Sequence, residues 1–356
     1  MVAKKLVALI NNQLFYMKSS RLFSKLAKIA LLFTYLIVLA GGFVRMTGSG
    51  MGCPDWPKCF GLFIPPTSES EITWGETTQY NASQMLIHND TLWVAKNNFI
   101  SKKNFNRKNW DSYKKHNYAK FNVFHTWAEY INRCIGAITG IFVLGLFCLS
   151  VFTRNSLYEF TGSLILLILF GLQAWLGGEV VFSVLNPFKI TIHMFVALII
   201  VCVLFILIHI TNNLDFQKTF NKSKKIKFLL ILTLLFSLIQ IFFGTQVREY
   251  VDALPSDKSI WSSQIQYSTI KIHQFIAVGV LITNIFLCVS IAGKYQFFKE
   301  APKEVFLILI TLIFLVFSGI VMMSFNFPGL AQLIHLFSAF ILFGSQFNLF
   351  LKINFS

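Results

Sequence analysis

Two histidines, His273 and His335, interrupt long apolar stretches, and the first half of the chain repeats their setting. IKIHQFIAVG around His273 aligns with EYINRCIGAI around Asn132, 141 residues earlier. LIHLFSAFIL around His335 aligns with TIHMFVALII around His193, 142 residues earlier. Ionisable or ligating side chains at membrane depth are costly and mark functional positions. His193, His273 and His335 each lie a few residues in from a helix end, roughly 6–9 Å below the mouth at 1.5 Å per residue. Imidazoles at equal depth on two helices of one bundle suit a planar cofactor between them, and a haem iron accepts such ligands from both faces. Zinc would call for about four ligands, Cys or carboxylate among them. A lone buried histidine is more simply bonded to a neighbouring carbonyl, but a registered, repeated pair favours haem. The first copy carries Asn132 where the second carries His273, so two similar pockets with different ligands point to two different jobs.

Glu129 stands three residues before Asn132 and four after His125, so the three share a helical face. Arg133 is expected on another part of that surface. The carboxylate is either half of a structural pair with Arg or His, or a proton donor and acceptor beside a reacting group. Glu179, nearer a helix end, is a weaker candidate. Cys53 and Cys59 bracket CPDWPKC. Outside the cytoplasm a disulfide persists, and the pair reads equally as a structural clip and as a redox-active dithiol. Cys134, Cys148, Cys202 and Cys288 fall in helices and read as apolar filler. Arg45 and Arg248 occupy matched positions, with Gly42 near the first and Gly244 near the second. Each would serve haem propionates through bidentate pairing, or snorkel to the interface. His88, His116 and His209 read as solvent or interface residues, and His125 sits at the mouth of its helix.

The elements that must hold these groups are set by composition. The chain has 356 residues, 55% hydrophobic and 13% charged. Apolar runs of roughly 18 residues or more read as membrane helices. Eight are expected, at about 28–44, 122–151, 159–182, 190–210, 228–246, 268–291, 304–324 and 330–351. The fold class is therefore an all-α integral membrane protein, with eight helices in two tandem four-helix bundles related by an internal repeat. The expected divisions are a cytoplasmic tail over 1–27, a first bundle over 28–215 and a second over 216–356. A net charge of +16 does not imply nucleic acid as a partner. Its basic residues concentrate in tails and loops, where they fix topology. Lys4, Lys5, Lys18, Arg21, Lys25 and Lys28, then Lys218 to Lys227, then Lys294, Lys299 and Lys303 fall on one side if the N-terminus is cytoplasmic. No cleavable signal is read at the start. The segment 45–121 faces outside and exceeds its second-half counterpart by roughly 60 residues. It is expected to be a lid or partner surface, or, over 80–120, a solvated and poorly ordered loop.

The motifs GGFVRMTGSGMGCPDWPKC, EYINRCIGA, LQAWLGGEVV, TIHMFVAL, GTQVRE and LIHLFSAF, in this order, resemble the haem A synthase family from about residue 30 to 350. The resemblance implies an enzyme that oxidises a methyl group of haem O to the formyl group of haem A for terminal oxidases of the cytochrome c oxidase type. It implies haem b as cofactor between His273 and His335 and haem O as substrate in the first half. There His193, Glu129, Cys53 and Cys59 match family positions, while Asn132 departs from the usual histidine. It further implies a multi-pass protein of the inner or plasma membrane, in contact with lipid. Haem O would come from haem O synthase, an electron donor would supply the redox chemistry, and there is room for a homo-oligomer. The alternatives are a di-haem electron-transfer protein and a haem transporter or chaperone. The first gains nothing from an asymmetric pocket, and the second calls for helices broken by Gly or Pro at mid-membrane, of which no convincing pair is seen.

Overall fold

The computed structural model describes residues 2–153, 156–212, 223–252, 268–293 and 302–354. Eight helices among these residues are long and apolar enough to cross a membrane. We number them α1 (Val2–Met46), α2 (Val123–Thr153), α3 (Leu157–Phe182), α4 (Pro187–Asn212), α5 (Lys224–Asp252), α6 (Ser268–Ala292), α7 (Lys303–Ser324) and α8 (Gly329–Asn354). Only 22% to 44% of each apolar window is buried in the protein. The rest, including Phe275 at 82% exposed, is apolar surface that lipid must cover. The chain is a multi-pass membrane protein.

The helix ends are written in the sequence. Asn122 caps α2 by accepting the N–H of His125. Asn186 caps α4, where Pro187 takes the first helical position. α1 ends in a Schellman turn: Gly48 at φ +70° lets its own N–H reach the Arg45 carbonyl and that of Ser49 reach Val44. The membrane-length part of α1 runs over Ser19–Met46, longer than the expected 28–44, and the helix extends back to Val2. The pattern from residue 2 to 40 contains no Gly or Pro to stop it.

The chain divides into two compact units. One comprises residues 1–35, 139–170 and 195–356. Within it α5 packs on α6 and α8, and α7 packs on α6 and α8, closing a four-helix bundle. Leu230, Leu287, Val305, Ile308 and Leu349 form its buried core. Asn284 of α6 and Gln346 of α8, both fully buried, are bonded across the bundle at 2.8 Å. Such a bond between helices contributes about 0.6 kcal/mol in a membrane. Glu304 of α7 is tied to Asn348 and Lys352 of α8. Gly344 of α8 lets Tyr35 of α1 and Phe205 of α4 lie directly against its backbone.

The second unit comprises residues 36–138 and 171–194. It includes a small β-structure: β1 (Gln79–Tyr80) pairs with β4 (Phe99–Ile100), and β2 (Met85–His88), β3 (Thr91–Ala95) and β5 (Trp110–Ser112) form an antiparallel sheet in the order β2-β3-β5. The solvated-loop expectation for 80–120 is therefore overturned. Asn89 and Asp90 at φ +51° and +52° make the two-residue turn that joins β2 to β3. Tyr80, Leu86, Ala95 and Trp110 are buried against Trp74, Trp93, Phe99 and Phe105. A second cluster forms around Cys53, Cys59, Phe60, Ile72, Met85 and Leu92.

Gly61 sits at φ +75°, where a Cβ would overlap the Ser83 carbonyl and the Gln84 backbone. Gly61→Ala should cost about 2 kcal/mol or more from left-handed strain plus the clash. Thermal unfolding followed by tryptophan fluorescence, to which the buried Trp110 contributes, checks this, and an unchanged midpoint would contradict it.

Candidate functional site

In the C-terminal bundle, α6 and α8 bring His273 and His335 together, with ring centroids 6.2 Å apart and planes inclined by 54°. Two imidazoles on opposite sides of one metal require roughly 6.4 Å, from a metal–nitrogen bond of about 2.1 Å and a nitrogen-to-centroid distance of about 1.1 Å on each side. The angle is free, because each ring can turn about its own metal–nitrogen axis.

The surroundings set which nitrogens are presented. Ser318 of α7 donates its hydroxyl to the Phe314 carbonyl and so accepts from Nδ1 of His335 at 3.0 Å. That bond leaves Nε2 of His335 as the bare nitrogen, the usual arrangement for a ligating histidine. On the other ring, Gln240 Nε2 lies 3.1 Å from Nε2 of His273. Nδ1 of His273 and Oε1 of Gln240 are buried without a hydrogen-bond partner. A Cβ on Gly244 of α5 would stand 3.3 Å from Cε1 of His273, and one on Gly319 of α7 would stand 3.7 Å from Cε1 of His335. The neighbouring helix thus comes up to each ring with no side chain between. Among the described residues no three His, Cys, Asp or Glu side chains converge as a zinc-type site. The spacing of the two rings, the bare Nε2 of His335 and the glycine approach fit a haem that both histidines would hold.

The other unit holds the first-half residues. His193 of α4 has Gly177 of α3 beside it, with a Cβ position 3.6 Å from Cε1, and its Nδ1 is buried and unpartnered. Gln173 donates to the His193 carbonyl at 3.0 Å. Asn132 of α2 has Gly41 of α1 beside it, with a Cβ position 3.9 Å from Oδ1, and that oxygen is also buried and unpartnered. Gly41 precedes Arg45 by four residues, as Gly244 precedes Arg248. The matched glycine is therefore Gly41, not the Gly42 noted in the sequence. One device, a glycine of the preceding helix against the side chain, recurs at Asn132, His193, His273 and His335.

Glu129 is 4% exposed and fully engaged. Oε1 pairs with Arg133 at 2.6 Å, and Oε2 accepts the Cys53 N–H at 2.9 Å. The expectation that Arg133 points elsewhere is corrected, because residues four apart on a helix are neighbours. Arg133 also donates to the carbonyls of Asp55 and Lys58. Cys53 and Cys59 form a disulfide, and Glu129 and Arg133 clamp its loop onto α2. Gly52 lies against the His125 backbone, and Gly178 of α3 accepts the Trp56 ring. His116, read as a solvent or interface residue, is buried and bonds the Pro54 carbonyl at 2.9 Å, as does the Tyr113 hydroxyl at 3.1 Å. Burial raises the Tyr113 phenol to about 12. Burial also pushes the Asp55 carboxyl above the usual range, against the opposing pull of the Gly61 N–H and Arg133. Glu179 pairs with Lys189 in a partly exposed ion pair. Arg248 is bonded to Asp252 and to Gln332, and Arg45 lies in the last turn of α1, where a cation complements the helix dipole.

Gln240, Ser318 and Asp55 are passed over in the sequence analysis, and the first two are polar side chains inside apolar spans. The structural Glu–Arg pair allowed there for Glu129 is the one formed. The model of the COX15-CtaA family, described as cytochrome oxidase assembly protein, matches residues 24–105 and 98–347. The chain belongs to this family. A protein of Ehrlichia canis (strain Jake) named heme A synthase is 25% identical over 341 residues, covering 86% of each chain. Heme A synthases of Shewanella oneidensis and Symbiobacterium thermophilum match shorter stretches. The first is 40% identical over 52 residues, 15% of this chain and 16% of its own length. The second is 50% identical over 34 residues, 10% of this chain and 11% of its own.

Arg133→Met strands a buried carboxylate and should cost about 3–5 kcal/mol, whereas Glu129→Gln with Arg133→Met should cost far less than the sum of the single changes. Thermal unfolding of the four proteins of the cycle reads this, and additivity would contradict the clamp. Asp55 binds its proton more tightly folded than unfolded. Its ionisation therefore lowers stability as pH rises, an effect absent below the unfolded value and complete above the folded one. Asp55→Asn, which keeps an acceptor for the Gly61 N–H, should raise the melting temperature by roughly 2 °C at pH 8 and leave it unchanged near pH 3.

Proposed function

We propose that this chain oxidises a methyl group of haem O to the formyl group of haem A, using two unlike haem sites. Membership of the family and the names of its relatives support the reaction. The single observation that carries the two-site reading is the pair of imidazoles 6.2 Å apart in the C-terminal bundle. His273 and His335 would hold haem b there, with Ser318 fixing the tautomer of one ring; the Gln240 amide, which donates to Nε2 of the other, would have to give way to the iron. When bound, that haem supplies one-electron redox chemistry. Arg248 and Arg45, at matched helix ends, neutralise propionates.

The substrate haem binds in the first half with His193 as its ligand. Its orphaned Nδ1 and the bare approach of Gly177 support this. Glu129 is the proton-handling group. Arg133 and the Cys53 N–H use two of its roughly four acceptor sites and hold it in place. The disulfide clips the loop that keeps this carboxylate from water. The recurrence of one glycine contact at four matched positions supports a duplicated four-helix unit, with halves at about 28–215 and 216–356. The basic tails and loops support a cytoplasmic N-terminus in a cell membrane.

Purified protein should show the spectrum of a low-spin haem b. His273→Ala and His335→Ala should each abolish it. Glu129→Ala should keep it while cells accumulate haem O, with haem A output reduced at least tenfold. Colourless wild-type protein would overturn the haem b assignment, and normal haem A output from Glu129→Ala would overturn the role of Glu129.

A further inference from the structure

We infer that Asn132 makes the first site one-sided: it keeps one axial face of the substrate iron free of a protein ligand and lines that face with an amide. The inference rests on the reading above that His193 binds the substrate haem.

Asn132 occupies the position matched to His273, 141 residues on, and is approached by Gly41 as His273 is approached by Gly244. The local packing that seats an imidazole in the second half therefore seats an amide in the first. An uncharged carboxamide is a poor iron ligand, but it offers one acceptor oxygen and two donor hydrogens. Its Oδ1 is buried without a hydrogen-bond partner. A polar atom sealed from water in this way calls for a bound partner. The other polar groups of this stretch of α2 have partners of their own. Glu129 is held by Arg133 and the Cys53 N–H, and Arg133 by Glu129 and two loop carbonyls. His125 lies seven residues earlier, roughly 10 Å along the helix.

The two sites then differ in kind. Two histidines saturate the iron in the second half. One histidine and an amide leave room in the first half for a small polar ligand that hydrogen-bonds to Asn132. An iron open on one face is suited to oxidative chemistry, and a saturated one to electron relay.

The test is spectroscopic and independent of turnover. Full-length protein is purified from cells that also make haem O. Haem content, electron paramagnetic resonance of the ferric form and carbon monoxide binding to the reduced form are then measured. The low-spin signal of the second site serves as the internal sign that each variant has folded. Wild type should carry a second, high-spin haem that binds carbon monoxide and is lost in His193→Ala. In Asn132→His that haem should become low-spin, with carbon monoxide affinity reduced at least tenfold. Asn132→Ala should keep the high-spin signal but shift the carbon–oxygen stretching frequency of the bound gas, because the amide beside it is gone. This second variant decides the matter if Asn132→His does not fold. A first-half haem already low-spin in wild type, or one whose spin state and stretching frequency ignore both substitutions, overturns the role of Asn132 alone. A single haem per chain, unaffected by His193→Ala, overturns the underlying reading and this inference with it.

Discussion

A polar side chain within a lipid-spanning helix has no water to fall back on, and the placement of functional groups here answers to that constraint. Each such group must be bonded to another helix, to its own backbone, or to something the protein binds. Thr233, Thr311 and Ser345 take the second course, returning their hydroxyls to carbonyls three or four residues earlier. Asn284 and Gln346 take the first. Buried atoms that neither course satisfies remain on Gln173, Ser237, Gln240 and Gln346, and on His193, Asn132 and His273. The last three, with His335, are the residues that the alignment of the two halves sets apart.

The same constraint explains the glycines. At Gly41, Gly177, Gly244 and Gly319 a Cβ would stand 3.3 to 3.9 Å from Asn132, His193, His273 and His335. A methyl group would already fill the space beside each of these side chains, and anything longer would displace them. The carboxylate of Glu129 is managed differently. It is neutralised by the residue one turn on and capped by a backbone N–H from a disulfide-closed loop, so its desolvation cost is shared with the folding of that loop.

Much of this was legible in the sequence, for physical reasons. The eight spans announced themselves because runs of this length admit few other structures, and the ligand candidates because His and Glu are conspicuous in such runs. The first helix outruns its apolar stretch because nothing in residues 2 to 27 breaks a helix. The β-structure was missed because its strands are two to five residues long and lie in Lys- and Asn-rich sequence. Its clearest signal was Asn89-Asp90 between MLIH and TLWVA. The side of α2 that Arg133 takes follows from its spacing of four from Glu129. Ser318 and Gln240 could not be paired with their histidines without knowing which helices are neighbours.

The backbone of α8 at Gly344 receives side chains from two helices of the first half, Tyr35 and Phe205. That seat exists only when the N-terminal and C-terminal segments are present together. A polypeptide severed between α4 and α5 would therefore yield two fragments with a ready-made mating surface, behaving as subunits of one complex and not as independent proteins.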